Sequence, residues 1–110
     1  MKEENKKLIF KCVETIMELI ENAMYEINNQ NYSYQDIASD KLKTLDIIFK
    51  LSQIPREKSE YEKILKTAIE FAELRFLRLQ RTERMVMKNI IKYKKNFHRM
   101  ELEPKVEILH

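Results

Sequence analysis

The sequence predicts an all-α protein, an up-down helical bundle of three long helices or of four, ending in a short irregular C-terminal tail. Three observations carry this expectation. The 110 residues include no glycine and two prolines, while Leu, Ile, Met, Glu, Lys and Arg dominate, so helix formers abound and residues for tight turns are scarce. Apolar residues recur every three to four positions over long stretches, the period of a helix with one buried face. That pattern is interrupted clearly in two places only, around Asn28–Tyr32 and at Ile54-Pro55. A 44% hydrophobic content beside 35% charged residues is too apolar for a disordered tail. The length allows one core: residues 1–100 are expected to form the bundle and 101–110 the tail.

The first helix is expected from about Glu3 to Ile27. Ile9, Val13, Ile16, Leu19, Ile20, Ala23 and Ile27 share one face, with Phe10, Met17 and Met24 beside them. A stripe this wide serves more than one neighbour, in a bundle or at an oligomer interface. Glu14, Glu18 and Glu21 form an acidic strip on the polar side. The single cysteine, Cys12, has no partner for an intramolecular disulfide, and its phase with Ile9, Ile16 and Leu19 points to a buried thiol.

Asn28-Asn29-Gln30-Asn31-Tyr32 reads as a loop, because asparagine tolerates turn conformations and competes for backbone hydrogen bonds. Ser33-Tyr34-Gln35-Asp36 is a capping box that opens the second helix. Ile37, Ala38, Leu42, Leu45, Ile48, Phe49 and Ser52 are expected on its core face, and Pro55 disfavours helix at Ile54, ending it near Gln53.

Pro55 suits the first position of a third helix, with Glu57 in the first turn. From there to about Phe97 no Gly or Pro intervenes, and Tyr61, Leu65, Ala68, Ala72, Phe76, Leu79, Val86, Ile90, Tyr93 and Phe97 keep one phase, with Glu83 alone falling on the seam. Two readings stay open: one helix of about 40 residues, roughly 60 Å long, or a break near Thr82 that folds two halves into a four-helix bundle. The long helix would overhang its partners and favour oligomerisation. In the tail, an acidic patch surrounds Pro104, and Lys105-Val106-Glu107-Ile108-Leu109 alternates polar and apolar, a short strand or a frayed end.

The formal charge of +3 conceals an asymmetry. Residues 1–74 hold 11 Lys/Arg against 14 Asp/Glu, whereas residues 75–99 hold nine basic residues against one acidic. Within the basic segment Arg81, Arg84, Lys88, Lys92, Lys95 and Arg99 fall within about ±40° of one line on a helix, opposite the apolar seam. Helix surfaces usually alternate charges one turn apart, and this stripe does not. Such a face attracts polyanions and releases counterions as it neutralises phosphates, so RNA or DNA is the leading expected partner. Arg75 and Arg78 flank the line and extend the patch. The competing readings are simple solvation, pairing with Glu14, Glu18 and Glu21, or contact with an acidic protein or lipid surface, the lipid version being disfavoured because the side opposite the stripe reads as bundle core. A second class of function, a protein-interaction module such as an adaptor or a phage or host inhibitor, would dock through Phe10, Met17 and Met24.

Chemistry-bearing constellations are scarce. His98 and His110 are the only histidines and neither has metal-ligand spacing; no Glu-x-x-His pair exists, and without glycine there is no phosphate loop. Lys92 and Lys94, not an arginine, stand four to six residues before His98, which removes the Arg/His pattern of helical ribonucleases. No cofactor, metal or catalytic residue is expected. Tyr25, Tyr32 and Tyr34 cluster at the loop, placed for boundary packing or for stacking on bases. No apolar run reaches the ~18 residues of a membrane span, and the charged N-terminus is unlike a signal peptide; a cytoplasmic protein, a homo-oligomer or a subunit of a complex, is expected.

Leu74-Arg75-Phe76-Leu77-Arg78-Leu79, preceded by Ala68-Ile69-Glu70, resembles the signature helix of the small four-helix-bundle family of diversity-generating-retroelement accessory variability proteins and proteins encoded in ribosomal-RNA intervening sequences. A looser likeness to the same helix lies from Lys41-Leu42 through Leu51. The family's Gly-Trp ending is absent, since the chain has neither residue. The resemblance implies a basic, oligomeric accessory protein that binds a reverse transcriptase and nucleic acid. Arg81-Thr82-Glu83-Arg84-Met85-Val86 is also similar to an arginine-rich helix of the GINS helical domain, and Lys105 to Leu109 to the start of its small β domain.

Overall fold

The computed structural model describes residues 2–57 and 60–102. It is all-helical: α1 spans Glu3–Asn28, α2 Tyr34–Ser52 and α3 Glu60–Leu102, with no strand among the described residues. The alternating segment Lys105 to Leu109 lies outside the described residues, and Glu101 and Leu102 still belong to α3.

Local signals set the helix ends. Gln30, past the end of α1, takes a left-handed conformation with φ 59°. Its N–H donates to Ile27 C=O and the Asn31 N–H to Glu26 C=O, the Schellman arrangement that glycine usually terminates. The capping box at α2 is complete: the Asp36 N–H donates to Ser33 Oγ at 3.2 Å and the Ser33 N–H to Asp36 Oδ2 at 2.9 Å. The carboxyl of Asp36, which accepts from the Ser33 N–H and from the Ser33 hydroxyl at 2.8 Å, is held below the usual carboxylate range by these two bonds.

Pro55 does not begin α3. Pro55, Arg56 and Glu57 lie outside any helix, and Glu60 and Glu62 occupy the first turn instead. The reason is Ile54, which is buried as the chain leaves α2; inserting it into the core requires the backbone to turn before a new helix starts. Once begun, α3 passes Thr82 without a break, so the reading with two shorter helices does not hold. Its 43 residues extend about 64 Å.

The core joins Ile9, Cys12 and Ile16 of α1 to Ile47, Leu51 and Ile54 and to Leu65, Ala68, Ile69 and Ala72 of α3. All three helix pairs touch, α2 with α3 most extensively. Cys12 is buried, and burial raises its thiol pKa above the ordinary value, against the lowering influence of Lys50. The Lys6 ammonium lies over the Tyr61 ring at 4.4 Å, and Ile27 shares a pocket with Leu79 and Thr82, so α1 and α3 run in the same direction.

The face of α2 that is buried differs from the expected one. Ile37, Thr44, Ile47 and Leu51 are buried, while Leu42, Leu45, Phe49 and Ser52 are exposed. Thr44 enters the core because its hydroxyl donates to Asp40 C=O at 2.8 Å, which removes the cost of burying an unsatisfied polar group. Lys41 turns inward as well, with its ammonium 3.3 Å from Glu83 Oε1 and 5.5 Å from the centre of the Phe76 ring. Glu83, the one break in the apolar seam of α3, is therefore the partner of a lysine on α2. Ile27, expected on the core face of α1, is exposed, whereas Val13, Leu19 and Ile20 are partly covered.

The core ends before α3 does. Leu79 is buried and Val86 partly so, but Ile90, Tyr93 and Phe97 are exposed, Tyr93 at 77% and Phe97 at 59%. They keep the phase of the seam, yet α1 and α2 have no residues left to cover them, and the last turns of α3 stand clear of the other helices. The overhang gives the molecule its elongated form, with principal extents of 73 × 24 × 16 Å.

Candidate nucleic-acid interface

A helix without a turn-breaker projects its side chains at fixed angles, so the spacing of 3, 4, 4, 3 and 4 residues from Arg81 to Arg99 becomes one straight cationic edge on the continuous α3. Arg81, Arg84, Lys88, Lys92, Lys95 and Arg99 are all exposed. Among the described residues, no salt bridge joins any of them to Glu14, Glu18 or Glu21; the three ion pairs found there are Lys6 with Glu3, Lys41 with Glu83 and Lys50 with Asp46. The acidic strip of α1 is exposed as well. Among the described residues the stripe and the acidic strip of α1 are thus not paired with each other.

The flanking arginines occupy a different setting. Arg75, Arg78 and Arg81 line a pocket of about 280 Å³ together with Tyr32, Ile27, Leu79 and Thr82. Arg78 and Arg81 are exposed and Arg75 is half-buried. The Nε of Arg75 is buried and donates to no acceptor among the described residues. Tyr32 is held there by its hydroxyl, which donates to Asp40 Oδ2 at 2.7 Å. Burial first, and then this bond to Asp40, raise the Tyr32 pKa well above the ordinary tyrosine value. Tyr32 is thus a wall of the arginine pocket and Tyr34 is half-buried, while Tyr25 is exposed.

The chain matches no protein-family model, no curated protein and no solved structure.

The six stripe residues lie on one continuous helix, so their spacing alone sets them on one face. Spacing does not reveal the pocket of Arg75 and Arg78, since Tyr32 and Ile27 reach it from 43 to 51 positions earlier in the chain. A second feature is the groove between α1 and α3. Phe10, Met17 and Met24 are exposed, and Phe10 and Met17, with Val13, face Ile64, Thr67 and Phe71 across a cleft of about 610 Å³. Among the described residues no group of three or more His, Cys, Asp or Glu is placed to hold a metal ion. Among them, too, no helix is long and apolar enough to cross a membrane.

Proposed function

We propose that this chain is a non-enzymatic accessory protein that binds the backbone of RNA or DNA through the basic face of α3, within a larger complex. The observation that carries the reading is the exposure of all six cations from Arg81 to Arg99 with no carboxylate of α1 paired to them. Phosphates are contacted by charge and do not require base reading, so the face would bind without marked sequence preference. Arg75 lines the pocket that Arg78 and Arg81 share beside the stripe, and a guanidinium fork suits a phosphate oxygen pair.

The test is a mobility-shift titration of the whole chain with single- and double-stranded RNA and DNA. Binding is expected at about 50 mM salt and should weaken about a thousandfold by 200 mM if six phosphates are neutralised. No shift with any of the four ligands at the lower salt would sink the reading.

A second reading, a helical protein-interaction module docking through α1, is favoured by one specific observation: Phe10, Met17 and Met24 are all more than half exposed. Under this reading charge reversal at Lys88 and Lys92 leaves function intact and Met17→Asp abolishes it.

A further inference from the structure

Where α3 leaves the core, its cations change arrangement. From Arg84 to Arg99 the cations of the stripe stand singly on a bare helix, about 5 Å apart along its axis. From Arg84 back to Arg75 every step is three residues, and each step turns the side chain about 60° around the helix. Arg81, Arg78 and Arg75 therefore leave the line and wind toward the side that faces α1 and the loop before α2. All three line one recess of about 280 Å³, walled opposite by Ile27 and Tyr32. We infer that this recess is a site for a terminal phosphate: it takes the phosphomonoester at the end of a nucleic-acid strand whose backbone then follows the stripe toward Arg99. The site rests on the reading of α3 as a phosphate-binding face, and the experiment below separates the two.

The donors in the recess are guanidiniums alone. The Tyr32 hydroxyl already donates to Asp40 Oδ2 at 2.7 Å and the Thr82 hydroxyl to Arg78 C=O at 2.9 Å. No carboxylate lines the recess among the described residues. Glu26, Asp36 and Asp40 line a different one, which shares only Tyr32 with it. Three positive forks without a counter-charge select a group with several acceptor oxygens and more than one negative charge. A phosphomonoester carries about −1.5 to −2 at neutral pH and three such oxygens, whereas an internal phosphate carries a single charge. The Tyr32 ring, held in place by Asp40, and Ile27 give apolar contact for the attached nucleoside. The recess is at the lower end of small-molecule pockets, about 300–1,000 Å³, which suits the end of a strand and not a strand passing through.

The position of the recess agrees with an end site. Traced back from Arg81, the line of the stripe passes through the exposed Leu77 and Leu74 to the exposed carboxylate of Glu70. No cation stands on that line before Lys66, a gap of about 22 Å along the helix. A backbone that follows the stripe toward the core thus loses its counter-charges at Arg81 and meets the turn of arginines into the recess.

The experiment is fluorescence anisotropy of the full chain with one internally labelled single strand in three forms: 5′-phosphorylated, 3′-phosphorylated, and with hydroxyls at both ends. At about 50 mM salt at least one phosphorylated form should bind about tenfold tighter than the hydroxyl form. Arg75→Gln with Arg78→Gln should bring that ratio to about one, and Arg78→Gln alone, at an exposed position, to about three. Lys92→Gln with Lys95→Gln should weaken all three forms and keep the ratio. Equal affinity of the three strands overturns the terminal site and leaves the stripe reading standing, whereas no binding of any strand overturns both. A preference that survives loss of Arg75 and Arg78 also overturns the site. A nucleoside monophosphate that binds as tightly as the phosphorylated strand would make the ligand a free nucleotide and overturn the assignment to a strand end.

Discussion

Lys41 of α2 and Glu83 of α3 meet at 3.3 Å with their side chains 24% and 23% exposed, and the same ammonium lies 5.5 Å from the centre of the Phe76 ring. This pair fixes which side of α2 faces α3 at the upper end of the core. A partly buried pair is worth more to break than to replace, since removing one partner strands the other. Glu83→Ala should therefore cost about 1–2 kcal/mol, between the values for exposed and buried pairs. The double substitution Lys41→Met with Glu83→Leu should lie within about 1 kcal/mol of wild type. Urea unfolding of the two variants and the wild type measures both, and equal losses in the single and double variants would show that the pair contributes nothing specific.

Gln30 holds the left-handed position past α1 that glycine adopts without strain. A side chain there costs about 1 kcal/mol, partly offset by the added freedom of glycine in the unfolded chain. Gln30→Gly is expected to stabilise the protein by about 0.5 kcal/mol and raise Tm by about 2–4 °C. Thermal melts followed by circular dichroism decide it, and a lower Tm would contradict the assignment.

The raised pKa of Tyr32 has a definite pH consequence. A neutral phenol is favoured in the fold by burial and by the bond to Asp40. The stability linked to it is thus fully present below the ordinary tyrosine range near 10 and is lost as pH rises above it. In an absorbance titration at alkaline pH, Tyr32 should be the last tyrosine to ionise, and Tyr32→Phe should remove that late component alone. A wild-type curve without a late component would refute the expectation.

The capping box acts at the other end of the pH scale. The Asp36 carboxyl is lowered by its bonds to Ser33, so its contribution is present above the ordinary carboxylate pKa and disappears as pH falls through the folded value. Ser33→Ala should cost about 1 kcal/mol at neutral pH and markedly less at acid pH. Paired unfolding curves at the two pH values test this, and a pH-independent difference would argue against it.

Arg75 should matter to anion binding beyond its charge. Its guanidinium lines the pocket with Arg78 and Arg81, its planar fork can hold two phosphate oxygens where an ammonium is a point charge, and a charge-assisted bond gained on binding contributes about 1.5–3 kcal/mol. Arg75→Lys is expected to weaken binding of a labelled oligonucleotide about tenfold at low salt, whereas Lys92→Arg should leave it nearly unchanged. Fluorescence anisotropy compares them, and equal small effects would leave Arg75 outside the site.

Much of this protein is written in neighbouring residues. The capping box at Ser33, the loop after Asn28 and the common helix face from Arg81 to Arg99 all depend on groups within a few turns of one another, and their spacing declares them, whereas spacing alone leaves open whether α3 breaks near Thr82. The tertiary structure decided what lies opposite. Thr44 and Lys41 face inward on α2, and Leu42, Leu45 and Phe49 outward, because Asp40 C=O and Glu83 satisfy the polar groups that sequence alone counts against burial. Likewise, Ile90, Tyr93 and Phe97 repeat with the period of the core yet lie beyond it. Periodicity states which side chains share a face of a helix, and only the packing of distant segments states whether anything covers that face.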